Sequence, residues 1–151
     1  MNETENNPAG ARQQVVVVGV DGSEASSKAL TWAAQEARLR RAILRVVHSW
    51  EFPVYDNLTY VPDIGYDDIA RAAEDSLATQ LVDVLGTEPD LTVERHVTQS
   101  SAAQAILELS KDAELVVVGS RGRGGFAGLL LGSVSTHVMH HATCAAVIVH
   151  P

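Results

Sequence analysis

The sequence alternates short apolar runs with segments of helical periodicity, and it does so five times between residues 15 and 149. The runs at residues 15–18 and 115–118 are apolar at every position, as is typical of strands buried on both faces. This alternation predicts an α/β fold: a doubly wound, Rossmann-like parallel sheet of five strands with helices on both faces. Right-handed crossovers leave few topologies, and we expect the common doubly wound strand order 3-2-1-4-5, in which the first and fourth strands are neighbours.

Periodicity and helix-end signals predict the remaining elements. We expect strands at residues 43–48, 91–98 and 144–149, and the alternation of apolar and polar residues in 91–98 is typical of a sheet edge. Ser23 and Ser101 are placed to cap the helices that follow them.

Two segments fall outside this pattern. Residues 1–13 are polar and predict a flexible tail ahead of a single domain that spans 14–151. Residues 49–66 hold most of the aromatic side chains and predict a long loop, either a lid, a partner surface or a disordered segment.

A glycine-rich loop follows the fourth predicted strand. Residues 119–135 read Gly-Ser-Arg-Gly-Arg-Gly-Gly-Phe-Ala-Gly-Leu-Leu-Leu-Gly-Ser-Val-Ser and lead into a helical segment. Glycines let backbone N–H groups face a ligand, and a helix N-terminus adds free donors and partial positive charge. Arg121 and Arg123 lie in this loop, and no acidic residue follows Glu114 in a chain of net charge -8. The loop therefore predicts an anion site with phosphate as its usual ligand, although some glycine-rich turns only connect elements.

The expected strand order brings this loop beside the turn after the first strand, residues 19–23. Ligands of open α/β sheets bind beyond the carboxyl ends of the strands, at the point where the strand order reverses. Two loops separated by about 100 residues would then share one cleft.

Two standard phosphate motifs do not fit the loop. The Walker motif fails because only three residues separate Gly128 from Gly132, and no lysine stands directly before Ser133. A dinucleotide fingerprint could be traced from Gly122, but it needs an acidic residue about 20 positions further on, and none follows. The sequence therefore argues against dinucleotide binding.

The spacing that does fit is Gly119-x-x-Gly122, nine residues, and then Gly132-Ser133. With this spacing the chain resembles the universal stress protein family, and specifically its ATP-binding branch. The resemblance extends from residue 14 to residue 150 and includes further segments at 18–23, 47–48 and 141–144. Many relatives carry Gly-x-Pro where this chain has residues 100–102, and proline where it has Ala145.

The resemblance implies a pocket for ATP, with Mg²⁺ as a candidate companion ion. Asp21 matches an acidic residue near the nucleotide and is the one candidate metal ligand, while Ser49 matches a position that contacts adenine. Carried over by position, the implied ATP-binding residues are Gly19, Val20, Asp21, Ser49, Gly119, Ser120, Arg121, Gly122, Arg123, Gly124, Gly125, Gly132, Ser133, Val134 and Ser135.

The implied function is a nucleotide-dependent dimeric switch in the stress response, acting through an unidentified protein partner. A slow ATP hydrolase that uses the same pocket is one alternative, and a nucleotide-free dimeric scaffold is another. Phosphoryl transfer needs a positioned metal and a group that orients water, and the sequence offers no second acidic residue near the loop. Binding is therefore favoured over turnover, and no catalytic residue is assigned.

The last strand would be a sheet edge, yet residues 144–149 lack the charges that protect exposed edges. Pairing with a second copy would cover it, and the family's dimer agrees, so we expect a homodimer through residues 145–150.

Other groupings have simpler interpretations. His137, His140 and His141 precede Cys144 at helical spacing, but adjacent histidines diverge by about 100° on a helix, which favours solvated or interface side chains over a metal site. Asp21, Ser23 and His48 are the residue types of a hydrolytic triad, but nothing in their spacing makes them converge.

Composition excludes several classes of protein. The acidic balance argues against a nucleic-acid-binding surface, and no apolar stretch approaches the roughly 20 residues of a membrane span. The polar start does not match a secretory signal, and the single cysteine, Cys144, suits a reducing compartment, so we expect a cytoplasmic protein.

Overall fold

The structure is a computed structural model that describes residues 12–52, 65–124, 128 and 130–151. The expected tail up to residue 11, residues 53–64 of the expected aromatic loop, and Gly125 of the expected phosphate loop lie outside the described residues. Within the described ranges, no helix has both the length and the apolar character needed to cross a bilayer.

Five parallel strands form one sheet in the order β3-β2-β1-β4-β5, which confirms the expected topology. The strands are β1 (Val15–Gly19), β2 (Ile43–Trp50), β3 (Val93–Gln99), β4 (Leu115–Gly119) and β5 (Ala145–Val149). The helices are α1 (Glu24–Arg40), α2 (Tyr66–Leu85), α3 (Ala102–Leu109) and α4 (Ser133–His141). β3 and β5 are the two edges, as the sequence predicted.

Side chains of the central strands alternate between two apolar cores, one on each face of the sheet. Val16 and Val18 of β1 enter the core formed with α1 and α2, whereas Val15 and Val17 enter the core formed with α3 and α4. Successive side chains of a strand point to opposite faces, so a strand covered on both faces is apolar throughout. This is the physical origin of the valine run at the start of the chain.

Some element boundaries differ from the predictions. β2 continues through Ser49 and Trp50, which were expected in a loop, because these residues pair with Thr98 and Gln99 of β3. Ser23 caps α1 as expected, its side chain accepting a hydrogen bond from the backbone N–H of Ser26. Ser101 occupies the N-cap position of α3 as expected, but the prediction that its side chain caps the helix was wrong, because it makes no capping hydrogen bond.

Arg45 of β2 joins the edge of the sheet to the segment after α3. Its side chain is only 13% exposed and donates to Glu94 Oε2 at 2.7 Å, to Asp112 Oδ1 at 2.7 Å and to the backbone oxygen of Leu109 at 2.8 Å. Arg45→Met leaves these acceptors without their donor, so we expect the free energy of unfolding to fall by about 1–3 kcal/mol.

Urea denaturation measures this loss, with Lys28→Met as the control. Lys28 pairs with Glu24 on the exposed surface of α1, and loss of such a pair changes stability by less than about 1 kcal/mol. Equal urea midpoints for Arg45→Met and the wild type would contradict the assigned role.

Candidate functional site

A cleft of about 580 Å³ opens at the carboxyl ends of β1 and β4. These strands are neighbours in the sheet, and the chain leaves β1 toward β2 on one side and β4 toward β5 on the other. The turn after β1 and the glycine loop after β4 therefore border the same space, as the strand order predicted. The volume is typical of small-molecule sites.

Most of the residues implied to bind ATP line this cleft. They are Gly19, Val20, Asp21, Ser49, Gly119, Arg121, Gly122, Arg123, Gly124, Gly132, Ser133, Val134 and Ser135. Ser120 is not among the lining residues: its side chain is fully buried, and within the described chain its Oγ is the one buried side-chain polar atom without a hydrogen-bond partner. Gly125 lies outside the described residues.

Asp21 links the two loops directly. Its Oδ1 accepts a hydrogen bond from the backbone N–H of Ser23 at 2.9 Å, which closes the turn after β1. Its Oδ2 accepts one from the backbone N–H of Arg123 at 3.0 Å, although the two residues are 102 positions apart. One carboxylate therefore sets the separation of the turn and the glycine loop.

The Asp21 carboxylate is stabilised in its charged form. Burial raises the pKa of Asp21, but hydrogen bonds from Ser23, Arg123 and Ser26 outweigh this effect and hold the pKa below its usual range. The group is therefore an anion at neutral pH, next to a loop that carries Arg121 and Arg123.

This lowered pKa predicts a pH-dependent contribution to stability. The contribution is fully present above the unfolded-state pKa, about 3.9, and is lost as the pH falls through the lower pKa of the folded state. We therefore expect the stability difference between wild type and Asp21→Asn to be largest above about pH 5 and to shrink toward pH 3. Urea denaturation across this range measures it, and a difference that does not change with pH would contradict the assignment.

Two glycines permit the close approach of the loops. A Cβ on Gly122 would lie 2.7 Å from Asp21 Oδ2. Gly22 has a φ of +80°, and a Cβ there would lie 2.8 Å from Nη2 of Arg123, so the guanidinium lies over the turn. Gly124 differs, since a Cβ there would meet no atom within 4 Å. Glycine is thus needed at positions 22 and 122 for contact between the loops.

The far end of the glycine loop is fixed against its beginning. The backbone oxygen of Ser120 accepts from the N–H of Gly132 at 2.6 Å and from Ser135 Oγ at 2.9 Å. Gly132 is the N-cap of α4 and supplies no side-chain cap, so the first N–H groups of the helix have no side-chain acceptor from the cap residue. Because Gly132, Ser133 and Val134 line the cleft, the positive end of α4 borders it.

Several lining residues were missed from the sequence. Trp50 and Glu51 line the cleft because β2 continues further than expected, and Trp50 packs edge-to-face against Tyr66 at a centroid distance of 5.1 Å. Glu51 is a second carboxylate beside the site, which corrects the statement that no second acid lies nearby. The other lining residues are Ser26, Val47, Ala102, Ile106, Val118 and Leu131.

The alternative groupings do not assemble into sites in the part of the chain that the structure describes. No group there brings together three or more metal-ligating side chains of His, Cys, Asp or Glu. The rings of His137 and His141 instead stack at 4.2 Å, and His141 Nδ1 lies 2.9 Å from the backbone oxygen of His137. His48 Nδ1 contacts the backbone oxygen of Val20 at 3.0 Å, while the Asp21 carboxylate binds backbone N–H groups.

A family model and related sequences that match this chain are all described as universal stress proteins. The model of a family described as the universal stress protein family matches residues 13–150. A universal stress protein of Mycolicibacterium smegmatis is 41% identical over 138 residues, which cover 90% of this chain and 45% of that protein. One from Mycobacterium tuberculosis is 36% identical over 137 residues, covering 91% and 45%. The chain spans less than half the length of these relatives.

Solved structures share the fold. A universal stress protein in complex with cAMP is 31% identical, with a TM-score of 0.57 over 91% of this chain and 97% of that one. A universal stress protein of Archaeoglobus fulgidus in complex with dAMP is 24% identical, with a TM-score of 0.64 over 90% and 97%.

Proposed function

The chain belongs to the universal stress protein family, and from this premise we propose that it binds ATP in the cleft between the turn after β1 and the glycine loop. The observation that carries the proposal is the shared cleft itself. The glycine loop, the first turn of α4 and Asp21 border it together, so a helix N-terminus and a glycine-rich backbone meet at one volume.

The lining suits the parts of a nucleotide. Val20, Val47, Ile106 and Val118 provide apolar surface of the kind that an aromatic base packs against. Arg121, together with the N-terminus of α4, provides the positive charge and N–H donors that phosphates require. An adenine base is favoured because the relative with 31% identity was solved with cAMP.

The two carboxylates of the cleft suit a metal-bound polyphosphate. Mg²⁺ binds through one or two carboxylates and substrate phosphates, keeping waters as its remaining ligands. Asp21 and Glu51 are the acidic residues that line the cleft within the described chain, so one of them would be the protein ligand of the ion with ATP. Without the ion, the charge of Asp21 would oppose binding of a polyanion.

The Asp21–Arg123 bond gives the site a means of responding to its ligand. The N–H of Arg123 donates to Asp21 Oδ2 and holds the turn beside the glycine loop, so a nucleotide bound by both loops would tighten this contact. Binding would thereby change the link between the turn and the glycine loop. This supports a nucleotide-dependent switch, in which occupancy alters the surface offered to a protein partner.

We propose that the protein forms a homodimer in which the β5 strands of two copies pair. This strand is a sheet edge, and its first two residues, Ala145 and Ala146, are exposed. Pairing the edges of two copies satisfies their unpaired backbone groups and buries the uncharged strand. Ala146→Glu brings like charges together at such an interface, so we expect the dissociation constant of the dimer to rise by about tenfold or more.

Light scattering across a concentration series measures this change. Leu39→Glu places the same charge on a side chain of α1 that is 79% exposed, so it should leave the oligomeric state unchanged. A wild-type protein that is monomeric at high concentration would contradict the dimer.

Calorimetry with ATP and Mg²⁺, followed by assay of phosphate release over hours, tests the proposed function. Saturable binding without turnover supports the switch, whereas steady release of many equivalents of phosphate would make the protein a slow hydrolase. Failure of the wild-type protein to bind ATP, AMP or cAMP would leave only a nucleotide-free scaffold.

A further inference from the structure

Gln80 is a buried polar residue of α2 whose side chain contacts the turn after β1. It is 6% exposed, and its Oε1 accepts a hydrogen bond from the backbone N–H of Gly22 at 3.0 Å. Its Nε2 donates to Ser26 Oγ and to Ser27 Oγ, both at 2.9 Å. The amide therefore makes its three bonds to residues of the turn and of the first turn of α1.

These bonds continue to Asp21 through Ser26. Ser26 is buried, and its Oγ accepts from the backbone N–H of Asp21 at 3.2 Å and donates to the backbone oxygen of Ser23 at 3.0 Å. Gly22 lies in the left-handed region, so the turn is tightly folded where Gln80 holds it. The conformation of Asp21 is thus held by a series of contacts that begins at Gln80 on α2.

We propose that Gln80 is a positioning residue of the nucleotide site: its carboxamide fixes the turn so that the Asp21 carboxylate reaches the backbone N–H of Arg123. This inference rests on the proposed function for its consequence, the affinity for ATP. The positioning itself is a property of the protein alone, because every bond in the chain from Gln80 to Arg123 is internal.

A role in helix packing alone makes a different prediction. If Gln80 only attached α2 to the rest of the fold, its loss would lower stability and leave the geometry of Asp21 unchanged. Leu81 is the matched control, since it is the next residue of α2, is 3% exposed and packs into the first apolar core. Leu81→Ala should lower stability without disturbing the turn.

The first measurement is the hydrogen-exchange rate of the Arg123 backbone amide, followed by NMR without nucleotide. In Gln80→Leu we expect this amide to exchange about tenfold faster or more, because the Asp21 carboxylate is no longer held where it accepts the hydrogen bond. In Leu81→Ala the rate should stay within about twofold of the wild type, since a loop amide exchanges by local opening. An unchanged rate in Gln80→Leu overturns the proposal.

The second measurement is the dissociation constant for ATP with Mg²⁺, taken well below the unfolding temperature of each variant. Gln80→Leu should weaken binding by about fivefold or more, and Leu81→Ala by less than about twofold. Faster exchange at Arg123 with unchanged ATP affinity also overturns the inference. If Gln80→Leu does not fold, Gln80→Met replaces it, because it keeps the unbranched length of the side chain and removes the acceptor for Gly22 and the donor to the serines without adding charge.

The two measurements separate the proposals. If the wild-type protein binds no nucleotide, the proposed function fails and amide exchange at Arg123 alone decides whether Gln80 positions the turn. If the wild type binds ATP and both variants match it, the proposed function stands and the role of Gln80 fails.

Discussion

Gly122→Ala is expected to weaken ATP binding by about tenfold or more, which corresponds to about 1.4 kcal/mol of binding free energy. The added Cβ would lie 2.7 Å from Asp21 Oδ2, closer than two such atoms can approach. The carboxylate cannot simply turn away, because its two oxygens are bonded to the backbone N–H groups of Ser23 and Arg123. Either the turn or the glycine loop must move, and the donors that face the cleft move with it.

Gly124→Ala is the matched control for this prediction. It adds the same methyl group to the same loop, two residues further on, where no atom lies within 4 Å of the new Cβ. Calorimetry should therefore give it an ATP affinity within about twofold of the wild type. Equal affinities for Gly122→Ala and Gly124→Ala would show that the approach of Asp21 to the loop has no part in binding.

The largest effect on stability is expected from Leu30→Ala. Leu30 lies on α1, is fully buried and packs into the core shared with α2 and the sheet. Removing a buried leucine side chain costs its transfer free energy and leaves a cavity, together about 2–5 kcal/mol. Chemical denaturation should show this loss as a lower midpoint with little change in slope.

Leu39→Ala is the control within the same helix. Its side chain is 79% exposed, so the free energy of unfolding should change by less than about 0.5 kcal/mol. A small loss for Leu30→Ala, similar to that of Leu39→Ala, would mean that α1 does not pack on the sheet through the face the structure shows.

The sheet order could be predicted because few topologies are compatible with the sequence pattern. The fully apolar runs of β1 and β4 indicate central strands, and right-handed crossovers then restrict the order of the others. The same reasoning placed the turn after β1 beside the glycine loop, where Asp21 meets Arg123. These features depend on the apolar pattern within single strands and on the right-handedness of crossover connections, so one sequence is enough to find them.

Other features depend on contacts that periodicity does not encode. Trp50 and Glu51 reach the cleft because β2 extends alongside β3, and the length of that pairing is set by the register of the two strands. Gln80 looks like a solvated position on an amphipathic helix until the packing of α2 brings it against Gly22. Ser101 has the right residue type for a cap, yet its side chain makes no capping bond.

A titration of isotope-labelled protein with ATP and Mg²⁺, followed by backbone amide NMR, tests the central claim most directly. We expect the amide of Arg123 to shift as the nucleotide binds beside it, together with the amides of Gly132–Ser135 at the start of α4 and those of the turn after β1. Amides of residues 93–95, at the start of β3 and away from the carboxyl end of the sheet, should stay unchanged. If saturating ATP leaves the glycine loop and the turn unperturbed, or shifts a different surface instead, the nucleotide does not bind in this cleft.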